Sequence, residues 1–336
     1  MAALLAVRDL GIVFTTPENH PLPVVERVSF DLEAGAVLGL VGESGSGKTV
    51  TALAIMGLIA PPGRIAAGQV LFQGEDLLRK APVELRRIRG VEIAMIFQEP
   101  MSALNPVFTI GQQISETLRY HRRLDRRAAR RQAIAWLERV EIPAAARRFD
   151  AYPHELSGGM RQRAMIAMAL ACGPKLLIAD EPTTALDVTI QAQILALLSQ
   201  LQRDLGMAVL LITHDLGVVA EMADRVIVMY AGQMVEQAST GALFSRPHHP
   251  YSEGLLASIP PLDRDLERLA AIEGVVPNPT QWPSGCRFHP RCRYALAPCH
   301  ALRPPLIAAA GPDHQVACIR HTGYRLPDSA AAEEVG

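Results

Sequence analysis

The sequence is poor in lysine, in aromatic residues and in long apolar runs, and these scarcities argue against a polyanion-binding protein and against a membrane-spanning segment. Of 33 basic residues only three are lysines, and the net charge is -1, so no general attraction to a polyanion is expected. No uncharged apolar stretch is long enough to cross a bilayer. The opening residues MAALLAVRDL lack the basic and apolar regions of a secretory signal. We therefore expect a chain that is cytosolic or held at a membrane through other subunits.

One of the three lysines closes a glycine-rich loop. The apolar run from Val37 to Val41 predicts a buried strand, and apolar residues recur at helical spacing after Lys48. The glycines between them let backbone N–H groups converge on a chain of phosphates. Lys48 is expected to reach those phosphates, and the Thr49 hydroxyl is expected to bind Mg²⁺. The residues predicted to line this phosphate site are Gly42, Ser44, Gly45, Gly47, Lys48, Thr49 and Val50.

Further polar side chains come directly after apolar runs. Gln98 follows VEIAMIF, the pair Asp180 and Glu181 follows KLLIA, and His214 follows MAVLLIT. Such strands, alternating with helical crossovers, predict an α/β fold with a largely parallel sheet covered on both faces. Since the carboxyl ends of parallel strands meet at one edge, these side chains should lie beside the phosphate site. Asp180 would bind Mg²⁺ with Thr49. Gln98 is placed to meet Mg²⁺ or water, although a lone glutamine at a strand end usually has no special role. Glu181 would polarise a water, although acidic pairs at strand ends are also common on surfaces.

Other motifs carry less information when read alone. Phe14 closes the first strand, where its ring could stack on a purine, but a strand-end core position is the more frequent role. Ser157, Gly158 and Gly159 open a helix that contains Gln162, and their bare N–H groups form either a second anion site or a simple helix cap. The arginine-rich run near 122–131 lacks interleaved aromatic residues. We interpret it as a solvated helix face and not as a nucleic-acid surface.

Four of the five cysteines lie in the last part of the chain, at Cys286, Cys292, Cys299 and Cys318. In a reducing compartment this clustering favours a metal site over disulfides. The spacing alone allows an iron-sulfur cluster, a tetrahedral zinc ion or no bound metal.

The order of the motifs resembles that of the ATP-binding subunits of ABC transporters, over about residues 4–244. The implied roles are Walker A for Lys48 and Thr49, Q-loop for Gln98, signature for Ser157, Gly158, Gly159 and Gln162, Walker B for Asp180, catalytic base for Glu181, D-loop for Asp187, and switch histidine for His214. Phe14 stands where the family has its adenine-stacking aromatic. In this family two ATPase subunits face each other head to tail, so that the signature of one completes the ATP site of the other.

Several segments narrow the resemblance to the ATPase subunits of dipeptide, oligopeptide and nickel importers; they are GESGSGKT, LSGGMRQR, RPHHPYSEGLLASIP and GCRFHPRC. This branch implies ATP and Mg²⁺, a [4Fe-4S] cluster on the four clustered cysteines, and peripheral attachment to the cytoplasmic face of the inner membrane. The implied partners are two transmembrane permeases, a second and different ATPase subunit and, indirectly, an extracytoplasmic solute-binding protein, with no nucleic acid. The alternatives are an ABC exporter ATPase, or an ABC ATPase that acts on nucleic acid or ribosomes.

The resulting expectation is a P-loop NTPase of the RecA-like type, forming an ABC nucleotide-binding domain with an inserted helical subdomain and a Cys-rich C-terminal extension. The expected boundaries are 1–245 for the ATPase domain, about 102–158 for its helical subdomain, 246–323 for the extension and 324–336 for a disordered tail. The extension has little apolar sequence of its own, so it should need a staple.

Overall fold

The computed structural model describes residues 3–99, 103–184, 186–259, 272–311 and 313–322. The tail expected at 324–336, and the expected first residue of the helical subdomain, Ser102, lie outside this described part.

Eight strands form the main sheet, in the spatial order β11-β12-β10-β9-β3-β8-β7-β6. They are β3 (Val37–Val41), β6 (Ile93–Ile96), β7 (Leu176–Asp180), β8 (Ala208–Thr213), β9 (Arg225–Tyr230), β10 (Gln233–Ser239), β11 (Ile307–Ala308) and β12 (Gln315–Val316). The five strands from β9 to β6 run parallel, and the other three join antiparallel at one side. The predicted parallel sheet is therefore confirmed.

A second, antiparallel sheet has the order β2-β1-β4-β5. Its strands are β1 (Leu5–Thr15), β2 (Pro21–Leu32), β4 (Gly63–Phe72) and β5 (Glu75–Asp76). The loop between β1 and β2 contains the polar, proline-bearing segment that interrupts the apolar pattern.

The helices are α1 (Lys48–Ile55), α2 (Pro82–Ile88), α3 (Ile110–Arg122), α4 (Arg126–Arg139), α5 (Ala145–Arg148), α6 (Gly158–Leu170), α7 (Val188–Leu205), α8 (Leu216–Met222), α9 (Thr240–Ser245) and α10 (Pro250–Ala257). Several begin at side-chain caps: Thr109 accepts from the N–H of Gln112 before α3, and Asp125 accepts from that of Ala128 before α4. Short 3-10 turns cover Leu77–Arg79, Pro153–Glu155, Pro279–Gln281, His289–Arg291, Ala297–His300 and Ile319–His321. Within the described part of the chain, every helix is too short or too polar to cross a membrane.

The main sheet is buried on both faces because its apolar residues alternate between two cores. Val209 and Leu211 of β8 belong to the core shared with α3, α4 and α6, whereas Leu210 and Ile212 belong to the core shared with the antiparallel sheet and α1. This is the period-two alternation that a strand imposes on its side chains. The double cover explains why the parallel strands read as continuous apolar runs.

The main sheet does not end at β10. Glu236 of β10 pairs with Val316 of β12, which brings the C-terminal extension into the sheet. Two-residue strands carry no periodicity that a sequence could reveal. The extension also contributes Phe288 to the core on the helical side, which agrees with its lack of an independent core.

A fully buried carboxylate, that of Glu236, fixes this junction. Its oxygens accept hydrogen bonds from the backbone N–H of His248 (2.6 Å) and of His249 (2.9 Å), and one lies 2.7 Å from His314 Nε2. The segment before α10 and the strand region of the extension are thereby tied to one side chain of β10.

We predict that Glu236→Ala lowers the free energy of unfolding by about 3 kcal/mol or more, because it leaves several buried donors without a partner. Glu221→Ala, at an exposed position of α8, should change it by less than about 0.5 kcal/mol. Chemical denaturation followed by circular dichroism measures both. Equal stabilities for the two variants would contradict this role of Glu236.

Candidate functional site

The glycine-rich loop curls at the carboxyl end of β3 and opens α1. Gly47 caps the helix in the left-handed region (φ 102°), and Gly45 also has a positive φ of 80°. At Gly42 a Cβ atom would lie 2.2 Å from the carbonyl oxygen of Met229, so no side chain fits there. The spacing of glycines therefore reflects a backbone that only glycine can adopt.

Lys48 projects into the loop that precedes it and is almost fully buried. Its Nζ donates to the carbonyl oxygens of Gly42 (2.7 Å) and Glu43 (3.0 Å). Burial lowers the pKa of Lys48, and the charges of Glu181 and Asp180 act in the opposite direction. The ammonium group is thus held at the end of β3, facing the acidic residues of β7.

Asp180 ends β7 beside the start of α1. Thr49 Oγ1 donates to its Oδ1 at 3.2 Å, which joins the two residues expected to bind Mg²⁺. Burial raises the pKa of Asp180 to about 6; the Thr49 hydrogen bond and the charge of Lys48 oppose that shift. A buried carboxylate next to a hydroxyl is the oxygen donor set that a hard divalent cation prefers.

Glu181 follows in the left-handed backbone region, with φ 47°, an uncommon conformation for a residue with a side chain. Its carboxylate accepts from Gln98 Nε2 (2.9 Å) and from Thr184 Oγ1 (2.7 Å), and it lies 3.3 Å from His214 Nδ1. Burial alone would raise the pKa of Glu181, but the hydrogen bonds of Thr184 and His214 outweigh it and the pKa is lowered. The group is therefore ionised and oriented.

Gln98, Glu181 and His214 line an open cleft of about 740 Å³. Its lining comprises Gly42, Glu43, Ser44, Gln98, Glu181, His214, Leu255, Gly274, Val275 and Val276. Parallel strands thus bring the predicted residues of β3, β6, β7 and β8 to one edge. Sequence reasoning missed Thr184, although a hydroxyl three residues after Glu181 was a local signal. It also missed the wall at 274–276, for which no motif exists.

Other predicted residues lie apart from this cleft. Ser157 caps α6 by accepting from the N–H of Met160, and Ser157 and Gly158 are exposed. Asp187 is exposed and caps α7. Gln162 is buried and donates to the carbonyl of Pro182, next to Glu181 in the same chain. Its side chain therefore supports the segment that follows β7 in its own chain, whereas Ser157 and Gly158 are exposed.

Two further predicted contacts occupy partly buried positions. Phe14 pairs with Gly63 of β4, and its ring lies so close that a Cβ on Gly63 would meet it at 2.8 Å. Val50 packs against the core between α1 and the antiparallel sheet. Neither residue lines the cleft described above.

The four clustered cysteines converge although they come from distant turns. Cys286, Cys292, Cys299 and Cys318 are free thiols that line one cavity of about 10 Å³. The pKa of Cys286 is raised to about 11, mainly by burial and to a lesser degree by the other three sulfurs. Backbone N–H groups point at each sulfur, from Phe288, Tyr294, Leu296 and Arg320.

The chemistry of this donor set suits a tetrathiolate centre. In the described ranges, no group of three or more His, Cys, Asp or Glu side chains is arranged to hold a metal ion. The structure therefore gives the cluster no direct support.

Two family models match the chain. That of the ABC transporter family covers residues 25–184, which include the glycine-rich loop and Glu181, and that of the oligopeptide/dipeptide transporter C-terminal region covers residues 235–299.

Known proteins resemble most of the chain. A putative peptide import ATP-binding protein of Brucella abortus is 54% identical over 92% of this chain and 93% of its own. The dipeptide transport ATP-binding protein DppD of Escherichia coli is 53% identical over 90% and 93%, and the oligopeptide transport ATP-binding protein AppD of Bacillus subtilis is 52% identical over 91% and 94%. A solved dimeric ATP-binding cassette bound to ADP and phosphate superposes with a TM-score of 0.64, at 26% identity over 70% of this chain and 98% of that one. The chain belongs to the ATP-binding subunits of ABC transporters, in the branch that carries the oligopeptide/dipeptide transporter C-terminal region.

Proposed function

We propose that this chain hydrolyses ATP to power the import of dipeptides or oligopeptides, or of a related solute such as nickel. The observation that carries the proposal is the meeting of Lys48, Asp180 and Glu181 at one sheet edge, in a chain that resembles peptide import proteins over nine-tenths of its length. The match to the oligopeptide/dipeptide transporter C-terminal region, in a chain similar to a protein named for peptide import, favours import over export. It also argues against an ABC ATPase that acts on nucleic acid or ribosomes.

The loop and Lys48 would hold the phosphates of ATP. In the structure Lys48 Nζ donates to two loop carbonyl oxygens, and in the ATP complex phosphate oxygens would accept these hydrogen bonds instead. Thr49 and Asp180, with Gln98, would bind Mg²⁺, whose charge neutralises the phosphates. Phe14 would stack on the adenine, and the glycines of the loop would leave room for the phosphate chain.

Glu181 would act as the general base that takes a proton from the attacking water. Its lowered pKa keeps it ionised, and Thr184 holds one of its oxygens. Gln98 and His214 contact the same carboxylate from two other strands, and they would align the water with the terminal phosphate. The exposed His214 is free to change partners when the cleft is filled.

A second ATPase subunit would complete the site. The cleft is open, and Ser157, Gly158 and Gly159 sit at the exposed start of α6, away from the cleft of their own chain. In a head-to-tail pair they would supply the γ-phosphate contacts of the opposite site, with Asp187 at the junction. The solved relative bound to ADP and phosphate is dimeric. We propose a heterodimer with a sister ATPase.

Permease subunits would bind the helical subdomain. An open groove of about 610 Å³ lies along α3, and Phe108 and Tyr120 on its lining are exposed apolar side chains, as is the neighbouring Val107. Large exposed apolar groups of this kind mark interaction surfaces. Two transmembrane permeases would hold the chain at the cytoplasmic face of the inner membrane, and an extracytoplasmic binding protein would deliver the solute. We propose 1–245 as the ATPase domain and 246–323 as the extension.

We predict that Glu181→Gln keeps ATP binding but loses turnover by about 100-fold or more, because the amide cannot accept the proton. In the assembled transporter, phosphate release measures turnover, and size-exclusion chromatography with ATP should show a trapped pair. Glu221→Gln, on an exposed helix position, is the matched control and should retain turnover. Normal hydrolysis by Glu181→Gln would show that another group is the base.

We also propose that Cys286, Cys292, Cys299 and Cys318 hold a [4Fe-4S] cluster, with zinc as the alternative. The support is chemical: four thiols converge, and a backbone N–H points at each sulfur, as is favourable for a thiolate ligand. The centre would serve as a staple for an extension with a small core.

We predict that protein purified without oxygen contains iron and acid-labile sulfide in equal amounts, about four of each per chain. Cys292→Ala should lose both, whereas Cys172→Ala, a buried thiol at the end of α6, should retain them. Metal analysis and visible absorption provide the readout. If zinc is found in place of iron, the thiolate site is retained and the cluster is rejected. If folded protein contains neither iron nor zinc, the metal site itself is rejected.

A further inference from the structure

Glu43, the second residue of the glycine-rich loop, is held through all of its polar groups. Its backbone N–H donates to Tyr251 Oη (2.8 Å), and its carbonyl oxygen accepts from Lys48 Nζ (3.0 Å). Its two carboxylate oxygens accept from Arg291, at 2.7 Å from Nη1 and 3.0 Å from Nη2. Tyr251 and Arg291 both follow β10, so the C-terminal extension contacts the loop at which the nucleotide site begins.

Arg291 is fixed before it reaches the loop. Its side chain is only 5% exposed, and it also donates to the carbonyl oxygens of Glu273 (2.9 Å), Ile272 (3.2 Å) and Gly274 (3.3 Å). A planar guanidinium that makes a bidentate, charge-assisted pair is a directional clamp, and burial limits its screening by salt. The same side chain thus joins the loop to the wall at 274–276 that lines the cleft.

Tyr251 is equally fixed. It is fully buried, and its ring lies 4.7 Å from that of Tyr230 and 5.3 Å from that of Phe288, between centroids. Its hydroxyl has one position available, and that position receives the N–H of Glu43.

A carboxylate at this place needs a partner. Glu43 lines the cleft with Ser44 and lies next to the carbonyls that Lys48 holds, so its negative charge faces the site of a polyphosphate. Unpaired, it would repel the phosphates. Beyond Glu43, the fully buried Ser46 donates its backbone N–H to the Glu43 carbonyl oxygen (3.2 Å), so the position of Glu43 affects the rest of the loop. Small displacements at such a site cost binding and rate.

We infer that Arg291 and Tyr251 are positioning residues of the ATP site: the C-terminal extension neutralises Glu43 and holds the loop in the shape that receives phosphates. The inference rests on the assignment of ATP to this loop. It makes the extension a part of the nucleotide site and not only an appendage to the sheet.

The test is the equilibrium binding of MgATP to the purified full-length chain, by calorimetry. Arg291→Gln should weaken binding about tenfold, since it leaves the Glu43 carboxylate without its partner. In the Glu43→Gln background the same substitution should weaken binding less than about threefold, because no charge remains to be neutralised. Arg293→Gln is the matched control: its ion pair with Glu253 is in the same extension, but its side chain is 70% exposed. This control should bind as the parent does.

Two milder variants keep the test informative if Arg291→Gln does not fold. Arg291→Lys retains the charge but not the fork, and it should weaken binding two- to threefold. Tyr251→Phe removes only the hydroxyl that receives the N–H of Glu43, and it should weaken binding about threefold with little change in Tm.

Three results would overturn the inference. The first is parental affinity for MgATP in Arg291→Gln or, if that variant does not fold, in both Arg291→Lys and Tyr251→Phe. The others are an equal loss of affinity from Arg291→Gln with and without the Glu43 carboxylate, and a loss in Arg293→Gln as large as that in Arg291→Gln. Failure of the parent chain to bind MgATP would instead reject the nucleotide site itself, so the two failures are distinguishable.

Discussion

The buried ammonium group of Lys48 is the charge on which the acidic residues at the carboxyl edge of the main sheet depend. Removing an ammonium group from water is costly unless partners replace the water, and two loop carbonyls do so here. Asp180 and Glu181 are adjacent carboxylates that repel each other, and Lys48 offsets that repulsion. Lys48 in the loop after β3 and the acidic pair at the end of β7 therefore stabilise each other's charges.

Much of this arrangement could be predicted from the sequence because parallel strands convert chain order into a spatial rule. Each apolar run that ends in a polar residue places that residue at the same edge, so Gln98, Asp180 and His214 could be assigned to one site without knowing any distance. The glycines of the loop were also informative. Gly42 has no room for a side chain, and such a requirement for glycine is visible in the sequence as a motif.

The remainder was hidden because it depends on side-chain direction and on non-local pairing. Gln162 belongs to a recognisable motif, yet its amide donates to the carbonyl of Pro182. A sequence motif does not indicate the direction of a side chain. The contact between Glu43 and Arg291 joins distant parts of the chain through ordinary residue types. The strands β11 and β12 are two residues long, so they exist only because β10 offers them an edge.

The position of β3 in the sheet has a consequence for how the protein is made. Val37 pairs with Val209 on one side, and Leu38 pairs with Arg225 on the other, so both neighbours of this strand are translated long after it leaves the ribosome. Contacts so distant in sequence form late, because a long loop must close before they yield any stabilisation. A nascent chain therefore carries its nucleotide-binding loop on an unpaired strand until β8 and β9 have emerged, and it gains the capacity to bind ATP only after those strands have paired with β3.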